Sequence, residues 1–171
     1  MPDTRHVNSP RQRPAQQGFT MIEVLVTVII LSIGLLGLAG LQATSLRNNQ
    51  SAFLRSQATI LAYDIADRIR ANFAGATNGS YNFDTGNGAP GLVSDCNTTT
   101  GCTAAEMAQN DLNDWFLSVT NLLPDGAGSV CIDSDPGTAG CDGNGTQFVI
   151  TITWTEVEDG STSTFTTSFQ P

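Results

Sequence analysis

One apolar run, FTMIEVLVTVIILSIGLLGLAGL over residues 19–41, constrains this chain more than any other feature. A helix needs about 20 mostly apolar residues to cross a bilayer, and this run is long enough. Arg5, Arg11 and Arg13 precede it, and no basic residue follows until Arg47. The positive-inside rule then puts the N-terminal tail in the cytoplasm and everything beyond Gln42 on the other side. A conventional secretory signal is the competing reading, since Gly37-Leu38-Ala39 offers a small-x-small cleavage site. The apolar core of such a signal is typically about 7–15 residues, shorter than this run.

A single carboxylate, Glu23, interrupts the run. An acid at mid-membrane costs about 2.5–3.5 kcal/mol, and less near the interface. Held shallow among headgroups, Glu23 would be inert. Ionisable groups inside membranes are functional by default, which favours a Glu23 that meets a cation from another chain.

Charge and composition exclude several chemistries. All seven basic residues are arginine, against 16 acids, for a formal net charge of -9. Without lysine there is no Schiff-base nucleophile and no phosphate-loop lysine. The only histidine, His6, lies in the polar tail, so the body of the protein can hold neither a His-based triad nor a His-ligated metal. After Arg70 there are twelve acids and no base, which disfavours nucleic acid and favours neutral or cationic partners. No pair of carboxylates has a context for catalysis, and no enzyme activity or cofactor is expected.

The stretch QQGFTMIEV joins a short basic leader, Gly18, Phe19, and a glutamate fifth when Phe19 is counted first. It resembles the leader of type IV pilins and type II secretion pseudopilins. That resemblance implies cleavage by a prepilin peptidase after Gly18, methylation of the new amino terminus at Phe19, and an assembly role for Glu23. Physics is consistent with it. An ammonium at Phe19 and the Glu23 carboxylate are each costly alone in lipid; paired between neighbouring subunits they offset one another and set an axial register. Gly34, Gly37 and Gly40 recur every third residue and suit close helix packing or local extension.

The helix is expected to continue to about Phe73. Leu54, Ala58, Leu61, Ile65, Ile69 and Phe73 form one amphipathic face, with Asp64–Arg68 and Asp67–Arg70 pairs on the polar side and Gly75 as the stop. A heptad dimer is the alternative use of that face. Residues 75–102 read as a long loop rich in Gly, Asn, Thr and Asp. Thr103-Ala-Ala-Glu106 is a capping box opening a second short helix, striped by Ala108, Leu112, Trp115, Phe116 and Val119 and ended by Leu122-Leu123-Pro124-Asp125-Gly126. Alternation at Phe148, Ile150, Ile152 and Trp154 predicts a strand. Glu158-Asp159-Gly160 turns it into a last strand bearing Phe165 and Phe169, and a shorter strand covers 129–133. The expected class is α+β: a long N-terminal helix on a small antiparallel sheet, with a second short helix. Its parts are a leader (1–18), a membrane helix (19–41), an amphipathic continuation (42–74) and a periplasmic or extracellular head (75–171).

Four cysteines lie beyond the membrane run, where oxidation is expected. They allow three pairings; neighbour pairing, Cys96–Cys102 and Cys131–Cys141, is preferred because each closes a polar loop with little core. Zinc is disfavoured by spacing. Asp133, Asp135 and Asp142 read as solvated turn residues, since the EF-hand pattern lacks its third acid and closing glutamate; no metal is expected.

Beyond the leader, Cys102-Thr103 through Asp111-Leu112 to Trp115, then Leu123-Pro124-Asp125-Gly126, then Ile150-Thr-Ile-Thr-Trp154 follow the order seen in PilV-type minor pilins. The resemblance implies a structural subunit that initiates or modifies type IV pilus assembly, with roles in motility and adhesion. Its implied partners are the prepilin peptidase, other minor and major pilins, and the inner-membrane assembly platform. It would sit in the inner membrane by one span, head in the periplasm, and then in the pilus. No cysteine follows Cys141, unlike the major subunits. A type II secretion minor pseudopilin shares the leader and helix. A membrane-anchored or secreted binding domain is the reading from another class.

Overall fold

A computed structural model of the chain describes residues 18–93, 96, 98–137 and 141–171. The expected leader up to residue 17, with its three arginines and His6, lies outside the described residues, as does Asp95. Two compact units divide the chain, Met1–Thr44 and Ser45–Pro171.

Helix α1 runs Met21–Ala71 without a break, through Gly34, Gly37 and Gly40. In the first unit its large apolar side chains are all exposed. Polar side chains within it bond their own helix: Thr27 donates to the Val24 carbonyl at 2.8 Å and Ser32 to the Val28 carbonyl at 2.7 Å. Such back-bonds satisfy hydroxyls where no water is available.

In the second unit α1 buries Leu54, Ala58, Leu61, Ala62, Ile65, Ala66 and Ile69, the face expected from spacing. The Asp64–Arg68 and Asp67–Arg70 pairs form at 3.0 and 2.8 Å. The helix ends differently from expectation. Asn72 breaks it and starts α2 (Phe73–Thr77), accepting the Gly75 N–H at 3.2 Å. The Asn72 amide also donates to the Ala104 carbonyl at 2.7 Å and to the Tyr81 hydroxyl at 3.1 Å. Gly75 is therefore not the stop but a close-packing residue: a Cβ there would lie 2.8 Å from the Ala104 carbonyl oxygen. Phe73, beyond the break, is 58% exposed rather than buried with the stripe. Gly75→Ala should lower stability by about 1–3 kcal/mol through overpacking, measured by denaturant unfolding of the full chain in detergent.

The stretch read as loop contains β1 (Phe83–Asp84) and a 3-10 turn (Thr85–Asn87). Phe83 anchors it, edge-on to Trp115 and to Phe116, each at 6.3 Å. Cys96 is bonded to Cys102. Helix α3 (Ala104–Leu122) opens with the capping box: Thr103 Oγ1 accepts the Glu106 N–H at 3.3 Å, and Glu106 accepts the Thr103 N–H at 2.8 Å. The Thr103 backbone bond, helped by its hydroxyl, holds the Glu106 carboxyl below the usual range.

Strands β2 (Ala127–Asp133), β3 (Gln147–Thr155) and β4 (Thr162–Phe169) complete an antiparallel sheet ordered β1-β2-β3-β4. Val130 pairs with Ile150, and Ile152 with Phe165. Phe148, Ile150, Ile152 and Trp154 point into the core with α1 and α3. Cys131 is bonded to Cys141. Asp133, expected in a solvated turn, instead ends β2 at 3% exposure, paired with Gln147 of β3, and its carboxylate accepts the Asp135 N–H at 3.2 Å. Asp142 does serve the turn: the Ser134 hydroxyl, then the Asn144 and Ser134 amides, hold its carboxyl down to about 2.

A buried polar seam joins the helices. Tyr81, fully buried, donates to Asp111 of α3 at 2.6 Å, and Arg68 of α1 reaches the same carboxylate at 3.4 Å. Burial works against the Arg68 charge, but Asp64 and Asp111 outweigh it and raise its pKa. Burial, with the bond to Asp111, pushes the Tyr81 phenol well above its ordinary value. The folded chain thus keeps a proton that the unfolded chain loses near the ordinary tyrosine pKa of about 10. Stability contributed by Tyr81 is complete below about pH 10 and falls as pH rises beyond it. Thermal melts from pH 9 to 11 should show a shallower decline for Tyr81→Phe than for the unmodified chain.

Candidate assembly site

The residues singled out at the N terminus come together where α1 begins. Gly18, Phe19 and Thr20 are non-helical, and the first helical turn carries Glu23. Thr20 caps the helix: its carbonyl accepts the Glu23 N–H at 3.1 Å, and its hydroxyl lies 3.3 Å from the same amide. Thr20-x-x-Glu23 is the spacing of a capping box, a signal present in the sequence but not read there. Only half of the box is made. The Glu23 side chain returns no bond to Thr20, and among the described residues it has no hydrogen-bond or ion-pair partner. A carboxylate in a first turn is favoured by the helix dipole, by about 0.3–1 kcal/mol at exposed sites. That term alone is smaller than the cost of an acid within a membrane, so Glu23 has reason to take a further partner.

Phe19 is 84% exposed, and the apolar side chains that follow are exposed with it. A Cβ added at Gly34, Gly37 or Gly40 would meet nothing within 4 Å. Packing among the described residues therefore does not require these glycines, and they leave a surface that another helix can approach closely. The described residues contain one helix long and apolar enough to cross a membrane, α1.

In the second unit, α1 carries Leu46, Phe53 and Ile60 on the face turned away from the buried stripe. Their seven-residue spacing aligns them on one side of a helix. The sequence reading followed only the core-facing stripe and missed these three. The four cysteines belong to the second unit and brace its loops. Among the described residues no group of three metal-ligating side chains is brought together.

Two family models match the chain. The model described as type IV pilin Tt1218 matches residues 40–113, and that described as the prokaryotic N-terminal methylation motif matches residues 13–39. No curated protein and no solved structure matches. The methylation motif falls on the segment that contains Gly18, Phe19 and Glu23, and implies processing by a prepilin peptidase and assembly with pilins. The pilin match covers α1 from Gly40, the Cys96–Cys102 loop and much of α3. Pilins are structural subunits, and the long apolar helix together with the leader motif suggests a single-pass membrane anchor. With the helix-on-sheet fold, these two matches support a type IV pilin-like family for the chain.

Proposed function

We propose that the chain is a PilV-type minor pilin that initiates or modifies assembly of a type IV pilus. It is cut by prepilin peptidase after Gly18, methylated at Phe19, held in the inner membrane with its head in the periplasm, and then drawn into the pilus with other minor and major pilins. Glu23 is the docking group: it accepts the amine of a neighbouring subunit's Phe19. One observation carries the reading, the unpartnered Glu23 in the first turn of an otherwise apolar, exposed helix. Among the described residues nothing satisfies that carboxylate, and a neighbour's ammonium would.

Cleavage removes Arg5, Arg11, Arg13 and Asp3, leaving four arginines against fifteen acids and changing the formal charge from -9 to -11. The mature chain should therefore bind DNA poorly. The leader and membrane helix suit a type II secretion minor pseudopilin equally well. A deletion strain separates the two. Loss of surface pili and twitching with normal protein secretion supports the pilus role, whereas lost secretion with normal piliation assigns the chain to the secretion system.

A further inference from the structure

The two edges of the sheet are finished very differently. On the β2 side, β1 pairs with Val130 and Ser129, the Thr85 hydroxyl accepts the Gly128 N–H at 3.1 Å, and the Gly143 N–H donates to the Ile132 carbonyl at 3.0 Å. That edge is closed by a two-residue strand, a side chain and a loop. On the other side β4 is bare. It runs eight residues, Thr-Ser-Thr-Phe-Thr-Thr-Ser-Phe, in unbroken register with β3, so no bulge twists it away. It has no charge, no proline and no glycine. Among the described residues its backbone pairs only with β3. Exposed edges are normally blunted by short strands, charges, proline, bulges or a covering segment. β4 has none of these.

We infer that the free edge of β4 is a docking site for an extended strand of a different protein, neutral along its length and basic at the end that lies beside the β3–β4 turn, which adds to the sheet by backbone pairing. Charge selects this occupant. The β3–β4 turn carries Glu156, Glu158 and Asp159, and no basic residue follows Arg70. Arg47 already pairs with Glu158 at 3.5 Å. At the other end of β4, Arg70 lies 4.6 Å over the Phe169 ring and is bonded to Asp67 at 2.8 Å. A second copy would bring the same acids on its own β3–β4 turn, and no basic residue lies on β3, β4 or the turn between them. A basic strand end finds unneutralised carboxylates there. Phe165 and Phe169 lie on the partly buried inner face, so the added strand would extend the apolar side of the sheet as well as its hydrogen bonds.

The site is independent of Glu23, and the failure of either leaves the other standing. Its test uses the full chain in lipid nanodiscs and fluorescent peptides of strand length, alternating Thr and Val. One peptide ends in lysines, one in glutamates, and one is lysine-ended with alternate backbone amides methylated. The lysine-ended peptide should bind and protect amides of β4 from hydrogen exchange. Methylation should weaken it at least about tenfold, because several backbone bonds are lost at once. The glutamate-ended peptide should be weaker by a similar factor. The double variant Thr164→Lys, Ser168→Lys, altered only at exposed positions, should also lose binding. The proposal is overturned if the methylated peptide binds as well as its parent, if protection appears away from β4, or if no peptide binds. It is equally overturned if the chain alone dimerises with protection of β4, which would make the occupant a second copy.

Discussion

Glu23→Ala should remove the chain from assembled filaments while leaving its head folded and its leader cut. Glu23 is exposed in the first turn of α1, remote in sequence from every residue of the buried core. The variant therefore removes no buried side chain. It even makes the apolar run more lipid-compatible, so membrane insertion should not suffer. What it removes, if Glu23 docks as proposed, is the partner for a neighbour's ammonium. Taking away one member of a buried ion pair costs about 3–5 kcal/mol, because the other is left uncompensated. A hundredfold change in a binding equilibrium corresponds to about 2.8 kcal/mol. Incorporation, read by immunoblot of sheared filaments against total membrane protein, should then fall at least about a hundredfold. Glu23→Gln keeps the shape without the charge and should fail as well. Thr20→Ala, which removes only the hydroxyl at the cap, should cost about 1 kcal/mol of helix stability and leave incorporation largely intact. Normal incorporation of Glu23→Ala would show that the carboxylate is not the docking group.

Trp115→Ala should be the most destabilising single change in the head. The ring is fully buried, and its Nε1 donates to the Leu61 carbonyl of α1 at 3.0 Å. Phe83 packs against one side, and the sheet comes so close that a Cβ at Gly128 would sit 2.5 Å from the ring. One side chain thus ties α1, α3, β1 and β2 together. Large aromatic-to-alanine changes in cores cost about 3–5 kcal/mol, and here a buried carbonyl also loses its donor. Typical domains have only about 5–15 kcal/mol in total. Urea unfolding of the full chain in detergent should show a midpoint reduced by a large fraction. A midpoint within error of the parent would mean that the ring is not the keystone of the head.

Local patterns carried most of the fold. The stripe from Leu54 to Ile69, the Thr103–Glu106 capping box and the alternation from Phe148 to Trp154 are each set by neighbours in sequence, and each appears where its period places it. The misses have a common physical source, polar residues whose partners are distant in sequence. Asn72 breaks α1 because it bonds Tyr81 and Ala104, both well beyond a helical turn further along the sequence. Asp111 looks like a solvated helix residue until Tyr81 and Arg68 converge on it. Phe83, alone in a polar stretch, has no period to announce β1; Trp115 supplies the core side chain it packs against, half-buried. At the N terminus the leader motif and the single acid were plain in sequence, since both depend on residues within a few positions. The bare edge of β4 could be recognised only once the strand order was known.

The most direct test is the mass of the intact chain recovered from membranes of cells that make prepilin peptidase. The expected species begins at Phe19 and carries one added methyl group, with Glu23 as its fifth residue. A chain that still begins at Met1, or one cut near Ala39, would leave no amine beside Glu23 and would contradict assembly through that pair.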